Sequence, residues 1–373
     1  MPSLVPNQRN IPRNIPHCEK PRVLFILKRR EDFHEDPSYS QNGLSTGLLN
    51  SATFVHDMLT TCDIESKIVV VIDNNAIDRE VSSYKPTHVI IEALWVVPEK
   101  FDILHRLHPN VKWIIRFHSE IPFIANESMA MGWLHDYIKK PNVYIGVNAP
   151  RYLGEVKVIL AAAGIDDECI DKRVVFLPNY YPVPPLSRPN HQHTNRTYVN
   201  IGCFGAIRPL KNHLIQAVAA LRFADMIGKA LHFHVNIGRV EMKGDPILTN
   251  LKSLFAGIAD NGHKLVIHTW APHEEFIKIV DQMDIGLQVS FSETFNIVAA
   301  DMVTAGVPIV VSDEIPWARE GITDPTSSVR IANALHSAWL NMSQNVQFNH
   351  RGLTAYVNTS VEFWTGFINT TSR

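Results

Sequence analysis

The sequence predicts an α/β protein of two doubly wound, Rossmann-like domains facing each other across a cleft. Three observations carry this. The chain has 373 residues, more than one hydrophobic core normally holds, so two domains of roughly 150 to 200 residues are expected. Short runs rich in Val and Ile alternate with amphipathic helical segments, the pattern of βαβ units around a buried parallel sheet. The alternation stops once, at "LPNYYPVPPLSRPNHQHTNRT" (residues 177–197), where five prolines and little apolar periodicity mark an interdomain linker.

In the first half, Val23–Leu27, Lys67–Ile72, His88–Ala93, Lys112–Phe117 and Val143–Val147 read as strands, separated by amphipathic segments such as Leu48–Leu59. After the linker the pattern restarts. Tyr198–Phe204, His232–Ile237, Leu265–His268, Ile285–Val289 and Pro308–Val311 are the expected strands, with His213–Met226, Asp245–Gly257, His273–Gln282 and Asn296–Thr304 as helices. Two such domains predict a ligand in the cleft, at the carboxyl ends of both sheets.

Composition narrows the function classes. Apolar residues make up 45% and charged residues 19%, as in a globular protein with a sizeable core. A net charge of −2 gives no strong global field to recruit nucleic acid or anionic membrane. The first 30 residues depart from this, with seven Lys/Arg against the single acid Glu19, and read as a solvated arm and loop. Cys18, Cys62, Cys169 and Cys203 lie far apart and no secretory segment precedes them, so a reducing, cytoplasmic setting is expected. No apolar stretch approaches the roughly 18 residues of a membrane span, so no integral membrane segment is expected.

Each domain opens with strand, glycine-containing loop and helix. The loops are "QNGLSTGLLN", with Gly43 and Gly47, and "IGCFGAIRPLKNHLIQA", with Gly202 and Gly205. Neither is G-x-G-x-x-G, so the dinucleotide fingerprint is missing. The second loop adds Arg208 and Lys211 just before a helix N-terminus, and two cations beside free backbone N–H groups suit a diphosphate.

"SETFNIVAADMVTAGVPIVVSDE" (292–314) carries the other half of the site. Glu293 lies on the loop that follows a strand. Asp301 lies about two turns into an apolar helix, where a carboxylate needs a partner, either a ligand or a buried Arg or Lys. The helix start at Asn296, Ile297 and Val298 offers N–H groups to a phosphate, and a nearby carboxylate accepts from the vicinal hydroxyls of a ribose. Phosphate, ribose and a further hydroxylated group in one cleft describe a nucleotide sugar. Trp270 follows a strand end and lies either against the base or in the core. His232 and His234 alternate on one strand face, but with Asp245 they lack a third ligand at sensible spacing, so no metal site is expected.

These segments resemble the GT-B glycosyltransferases, specifically their retaining, family 4-like group. The signature of that group is an acid, seven residues, an acid, then small-Gly-x-Pro and a strand; here it is Glu293, Asp301 and "TAGVPIVVS". "GAIRPLKNHLIQA" and "VIHTWAPHEEFIKIVDQMDIGLQVS" resemble the segments around the diphosphate and under the nucleobase. "RFHSEIPF" resembles the position from which these enzymes aim a His, here His118, at the reacting sugar or acceptor hydroxyl. There are two departures: the second acid is Asp rather than Glu, and Ala206 stands where a basic residue is expected five positions before Lys211, so Arg208 replaces it from a shifted position.

The resemblance implies transfer of a sugar from a nucleotide-diphosphate sugar to an acceptor hydroxyl with retention of configuration. No metal or cofactor beyond that co-substrate is implied. Catalysis falls to His118, Glu293, Arg208 and Lys211. Donor binding falls to Gly43, Gly205, Arg208, Lys211, Trp270, Glu293, Asn296, Ile297, Val298 and Asp301. It also implies domains at 1–178 and 198–349, a linker at 179–197, and a final helical segment, 350–373, that crosses back to the first domain. "THVIIEALWVVPEKFDILHRLHPNVKWIIRFHSEIPF" resembles glycosyltransferases encoded by bacteriophages, some of which decorate hydroxymethylated pyrimidines in DNA; the setting is then the host cytoplasm. Lys28, Arg29 and Arg30 at the cleft mouth suit a phosphate backbone. A glycan, lipid or small-molecule acceptor is the alternative, and a non-catalytic nucleotide-sugar or anion-binding protein is the alternative of another class.

Overall fold

A computed structural model describes residues 20–29, 46–186 and 196–371. The first domain is built on a six-stranded parallel sheet: β1 (Arg22–Lys28), β2 (Glu65–Val71), β3 (His88–Glu92), β4 (Lys112–Phe117), β5 (Val143–Val147) and β6 (Val174–Phe176), in the spatial order β2-β1-β3-β4-β5-β6. All five residues of β3 and of β5 are buried, as a sheet covered by helices on both faces requires.

The second domain has five parallel strands: β7 (Tyr198–Gly202), β8 (Ala230–Asn236), β9 (Lys264–His268), β10 (Ile285–Gln288) and β11 (Ile309–Val311), ordered β11-β10-β7-β8-β9. In both sheets the first strand has its neighbours on either side reached by opposite crossovers. A crevice therefore opens at the carboxyl ends of β1 and β3 and of β7 and β10.

The expected elements are present, with ends that differ by a residue or two. The strand expected to reach Phe204 ends at Gly202, because Gly205 has φ +113 and the chain turns out of the sheet. The helix expected from Asn296 starts at Ile297, with Asn296 as its cap. The three-residue β6 has no sequence signal of its own.

A 30-residue helix, Met342–Thr371, closes the chain and begins well before position 350. At ~1.5 Å per residue it is long enough to serve both domains. Leu353 and Val357 join the apolar cluster of Met302 and Trp317 in the second domain. Trp364 and Ile368 pack with Val23 and Phe25 in the first, and the Trp364 indole donates to the Pro178 carbonyl at 2.8 Å. Near its start, Asn345 accepts from the Ile309 N–H at 2.8 Å and donates to the Ile309 carbonyl at 2.9 Å, completing the free edge of β11. Among the described residues no helix is long and apolar enough to cross a membrane.

Candidate active site

The second-domain half grows from the loops after β7 and β10. After β7, Gly205 adopts a φ that L-residues avoid, and its missing Cβ would lie 3.8 Å from Lys211 Cε. Backbone conformation, more than space, calls for glycine there. The turn delivers Lys211 to Glu293 on the neighbouring loop, where Nζ and Oε1 form an ion pair with both side chains largely buried. Arg208 reaches toward the first domain: its guanidinium carbon lies 4.9 Å from the ring centre of Phe123, and Nη1 lies 3.7 Å from Glu241 Oε2. Its Nε is buried with no hydrogen-bond partner among the described residues.

After β10, Asn296 takes a left-handed conformation (φ 62) and accepts from the Ala299 N–H at 2.9 Å, while its amide donates to Gln288 at 3.1 Å. That leaves the N–H groups of Ile297 and Val298, the first two of the helix Ile297–Thr304, without an intrahelical acceptor. Ile297, Val298, Gly205, Trp270 and Asp301 line one cavity of about 130 Å³. Trp270 is half-buried there, backed by Gly238, where a Cβ would meet Trp270 Cβ at 2.8 Å. Gly47 of the first domain borders the same space; Gly43 and Arg30 lie outside the described residues.

Asp301 is 1% exposed, and its partners are neither Arg nor Lys. Oδ1 accepts from the Tyr181 hydroxyl at 2.7 Å and pairs with His273 Nε2 at 2.8 Å. Burial pushes the carboxyl above its ordinary pKa, opposed by the hydrogen bonds from His273 and Tyr181. The bond to Asp301 raises the His273 imidazole in turn.

The first-domain half gathers at the ends of β3, β4 and β5. Glu92 and Arg116 form an ion pair at 3.1 Å with both side chains fully buried. His118 Nε2 bonds to the second oxygen, Glu92 Oε2. Arg116 also donates to Asn179 Oδ1 at 2.7 Å and to the Leu177 carbonyl at 3.2 Å. Burial pushes Glu92 upward, but Arg116 and His118 outweigh it and hold the carboxyl below its usual range. His118 is pushed below the usual imidazole value by burial, with Glu92 opposing and Arg116 reinforcing. A neutral ring bonded to a carboxylate carries its proton on Nε2, leaving Nδ1 as the acceptor, with the Asn148 amide nitrogen 3.5 Å from it. His118, Arg208 and Glu92 line a second cavity of about 820 Å³ with Lys28, Trp95 and Phe123.

Gly47 and Arg239 border both cavities, so the two adjoin across the cleft. Asn148 donates to Thr294 Oγ1 of the opposite domain at 3.2 Å, and Arg151 ties Glu120 to Glu314. Burial pushes Glu120 up to about 7, against the pull of Arg151.

Sequence reasoning missed Glu92, Arg116, Asn179, Tyr181, Arg239 and His273. Arg116 had a signal: it sits two residues before His118, on the same strand face. Asn179 and Tyr181 lie in the proline-rich linker, which turns out to furnish partners to both halves of the site. The strand histidines have protein partners. His234 pairs with His268 at 2.9 Å and Asn200 at 3.2 Å, His232 stacks on Tyr198, and no group of three His, Cys, Asp or Glu able to hold a metal occurs among the described residues.

No family model and no curated protein matches the sequence. Solved structures do match in shape. An α,α-trehalose-phosphate synthase (UDP-forming) from Burkholderia vietnamiensis aligns over 94% of this chain and 97% of its own, at 11% identity and a TM-score of 0.64. A sucrose-phosphate synthase from Thermosynechococcus elongatus aligns over 94% and 98%, at 11% identity and 0.64. An Anabaena protein in complex with UDP and glucose aligns over 94% and 99%, at 11% identity and 0.61. The fold is GT-B. In this GT-B frame the matched span includes both sheets and the cleft between them. The family 4-like subgroup, a viral source and a DNA acceptor draw no support from these comparisons.

Proposed function

We propose that the protein is a glycosyltransferase that moves a sugar from a nucleotide-diphosphate sugar to an acceptor hydroxyl with retention of configuration. The observation that carries the reading is the meeting, across two adjoining cavities, of Arg208 and a helix N-terminus from the second domain with a carboxylate-held His118 from the first; Lys211 lines neither cavity and lies behind them, paired with Glu293. Breaking the anomeric C–O bond builds negative charge on the leaving diphosphate. In this reading Arg208, Lys211 and the N–H groups of Ile297 and Val298 receive it, which is where preorganised electrostatics act most strongly. Glu293, paired with Lys211, stands beside the sugar in this reading.

His118 offers Nδ1 as an acceptor to a hydroxyl of the donor sugar or acceptor, its ring fixed by Glu92 behind it. Trp270 lies against the base. The leaving phosphate oxygen, on the same face as the incoming hydroxyl, takes the acceptor's proton, which gives retention. UDP-sugars are the first donors to test, since the Anabaena neighbour carries UDP and glucose. The acceptor enters over Lys28, Trp95 and Phe123. Lys28 and Arg29 are the support for a nucleic-acid acceptor, and the aromatic rings are the support for a glycan or small molecule.

The test is a thermal-shift screen across UDP-, GDP-, ADP- and TDP-sugars, followed by release of nucleotide from each binder with and without candidate acceptors. Stabilisation and release by at least one donor is expected. Stabilisation without release under any acceptor would point to a non-catalytic binding protein, and no effect from any donor would end the reading.

A further inference from the structure

We infer that His273, held by Asp301, is the group that takes a ribose hydroxyl of the donor, and that Asp301 acts only through it. This rests on the donor-site reading above. Asp301 lines the nucleotide cavity but is 1% exposed, and its Oδ1 is already shared by Tyr181 and His273. An aspartate is one methylene shorter than a glutamate, so the carboxylate stays behind its neighbours. His273 is not withdrawn: a third of its side chain is exposed, it lines the same cavity, and it follows Trp270 by three positions on the loop between β9 and the helix His273–Val280.

The two ring nitrogens divide the work. Nε2 faces Asp301 Oδ1 at 2.8 Å, whereas Nδ1 has no hydrogen bond to any described residue. With its proton on Nε2, the neutral ring presents Nδ1 as an acceptor to a ribose hydroxyl; the protonated ring presents Nδ1–H as a donor to the same hydroxyl, which carries both a proton and lone pairs. The groups packed on the ring are Asp301 from the helix Ile297–Thr304, Tyr181 from the linker through their shared oxygen, Phe54 edge-on at 6.2 Å, and Glu274 on its own helix. Asp301 and Glu274 both favour the charged ring. Either protonation state of His273 leaves Nδ1 able to bond a ribose hydroxyl.

The experiment measures binding of UDP, GDP, ADP and CDP to the full chain by calorimetry, each beside its 2′-deoxy and 3′-deoxy analogue. The wild type should prefer at least one ribonucleotide over its deoxy form by roughly threefold to tenfold, the span of one net hydrogen bond. His273→Ala should abolish that preference while leaving deoxy binding unchanged. His273→Gln, whose amide can donate to Asp301 and accept from a hydroxyl, should keep the preference. Tyr181→Phe should keep it too, since the Tyr181 hydroxyl bonds Asp301 and Thr304 and not the ring of His273. A preference unaltered in His273→Ala would overturn the inference while leaving the donor site intact. If the wild type binds none of the four nucleotides, the donor-site reading itself fails and takes this one with it.

Discussion

Replacing Glu92 by Gln changes a buried carboxylate to an amide of nearly the same shape. Glu92 and Arg116 are paired at 3.1 Å with fully buried side chains, and Glu92 also bonds His118. Arg116 keeps its bonds to Asn179, Leu177 and Pro178 in the variant, so its donors stay satisfied; what it loses is the compensating charge. A guanidinium cannot shed its proton to escape. The expected loss is therefore that of a buried pair broken on one side, about 3–5 kcal/mol. Urea unfolding of wild type and Glu92→Gln at neutral pH measures it from the midpoint at constant slope.

The pH dependence supplies a second arm. Glu92 is held below its unfolded pKa, so its stabilisation is present above the unfolded carboxylate value and is lost as pH falls through the folded one. The gap between wild type and variant should shrink in acid. His118, also depressed, adds to the wild type's acid loss, because below its unfolded pKa the unfolded chain takes up a proton that the folded ring resists. A loss under about 1 kcal/mol at neutral pH would refute the view that Glu92 is the counter-ion of Arg116.

The contrast is Asp301→Asn, where the partners are a hydroxyl and an imidazole that can go neutral; the cost should be about 1 kcal/mol, read by the same unfolding curves, and a cost of 3–5 would mean a stranded cation. Gly205→Ala should lose about 1–2 kcal/mol through its left-handed backbone, with circular dichroism melts as the check, and an unchanged melting point would show that the loop can relax. Glu120, pushed up by burial, makes the folded state less stable as pH rises from the unfolded carboxylate value through about 7; Glu120→Gln should remove that decline, and parallel melts at pH 5 and pH 8 that show the same fall in both proteins would contradict it. If a nucleic-acid backbone runs past Lys28 and Arg29, duplex binding should weaken with salt at a log–log slope of about −0.9 per phosphate neutralised; a flat or missing response would remove the support for DNA.

Where an apolar run was bounded by polar residues, the sequence located the element to the residue, as for Lys112–Phe117, Val143–Val147 and His213–Met226. Where the apolar run continued past the sheet, the expected strand overshot: Phe204, Ile237 and Val289 are apolar loop residues packed into the second domain's core, beyond the strand ends. Period alone cannot separate a strand end from a buried loop. The turn at Gly205 and the helix start at Asn296 were legible because each signal is local, a glycine or a capping residue just after a strand. The first-domain half was only partly so. His118 was visible, but Glu92 and Asn148 meet it from separate elements, and Asn179, which accepts from Asn148 and Arg116, sits in a segment whose prolines speak only of a linker. The partner of Asp301 was hidden for the same reason. His273 and Tyr181 are far from it in sequence, and a carboxylate in an apolar helix announces the need for a partner without naming one.

The central claim is that the second-domain loops receive a diphosphate whose charge grows as the glycosidic bond breaks. It is tested most directly by the rate of nucleotide release from saturating donor in wild type, Arg208→Ala and Lys211→Ala. Each variant should turn over roughly 10²-fold more slowly or worse, since each cation faces charge present in the transition state more than in the ground state. Near wild-type rates in both variants, with donor still bound, would contradict the account.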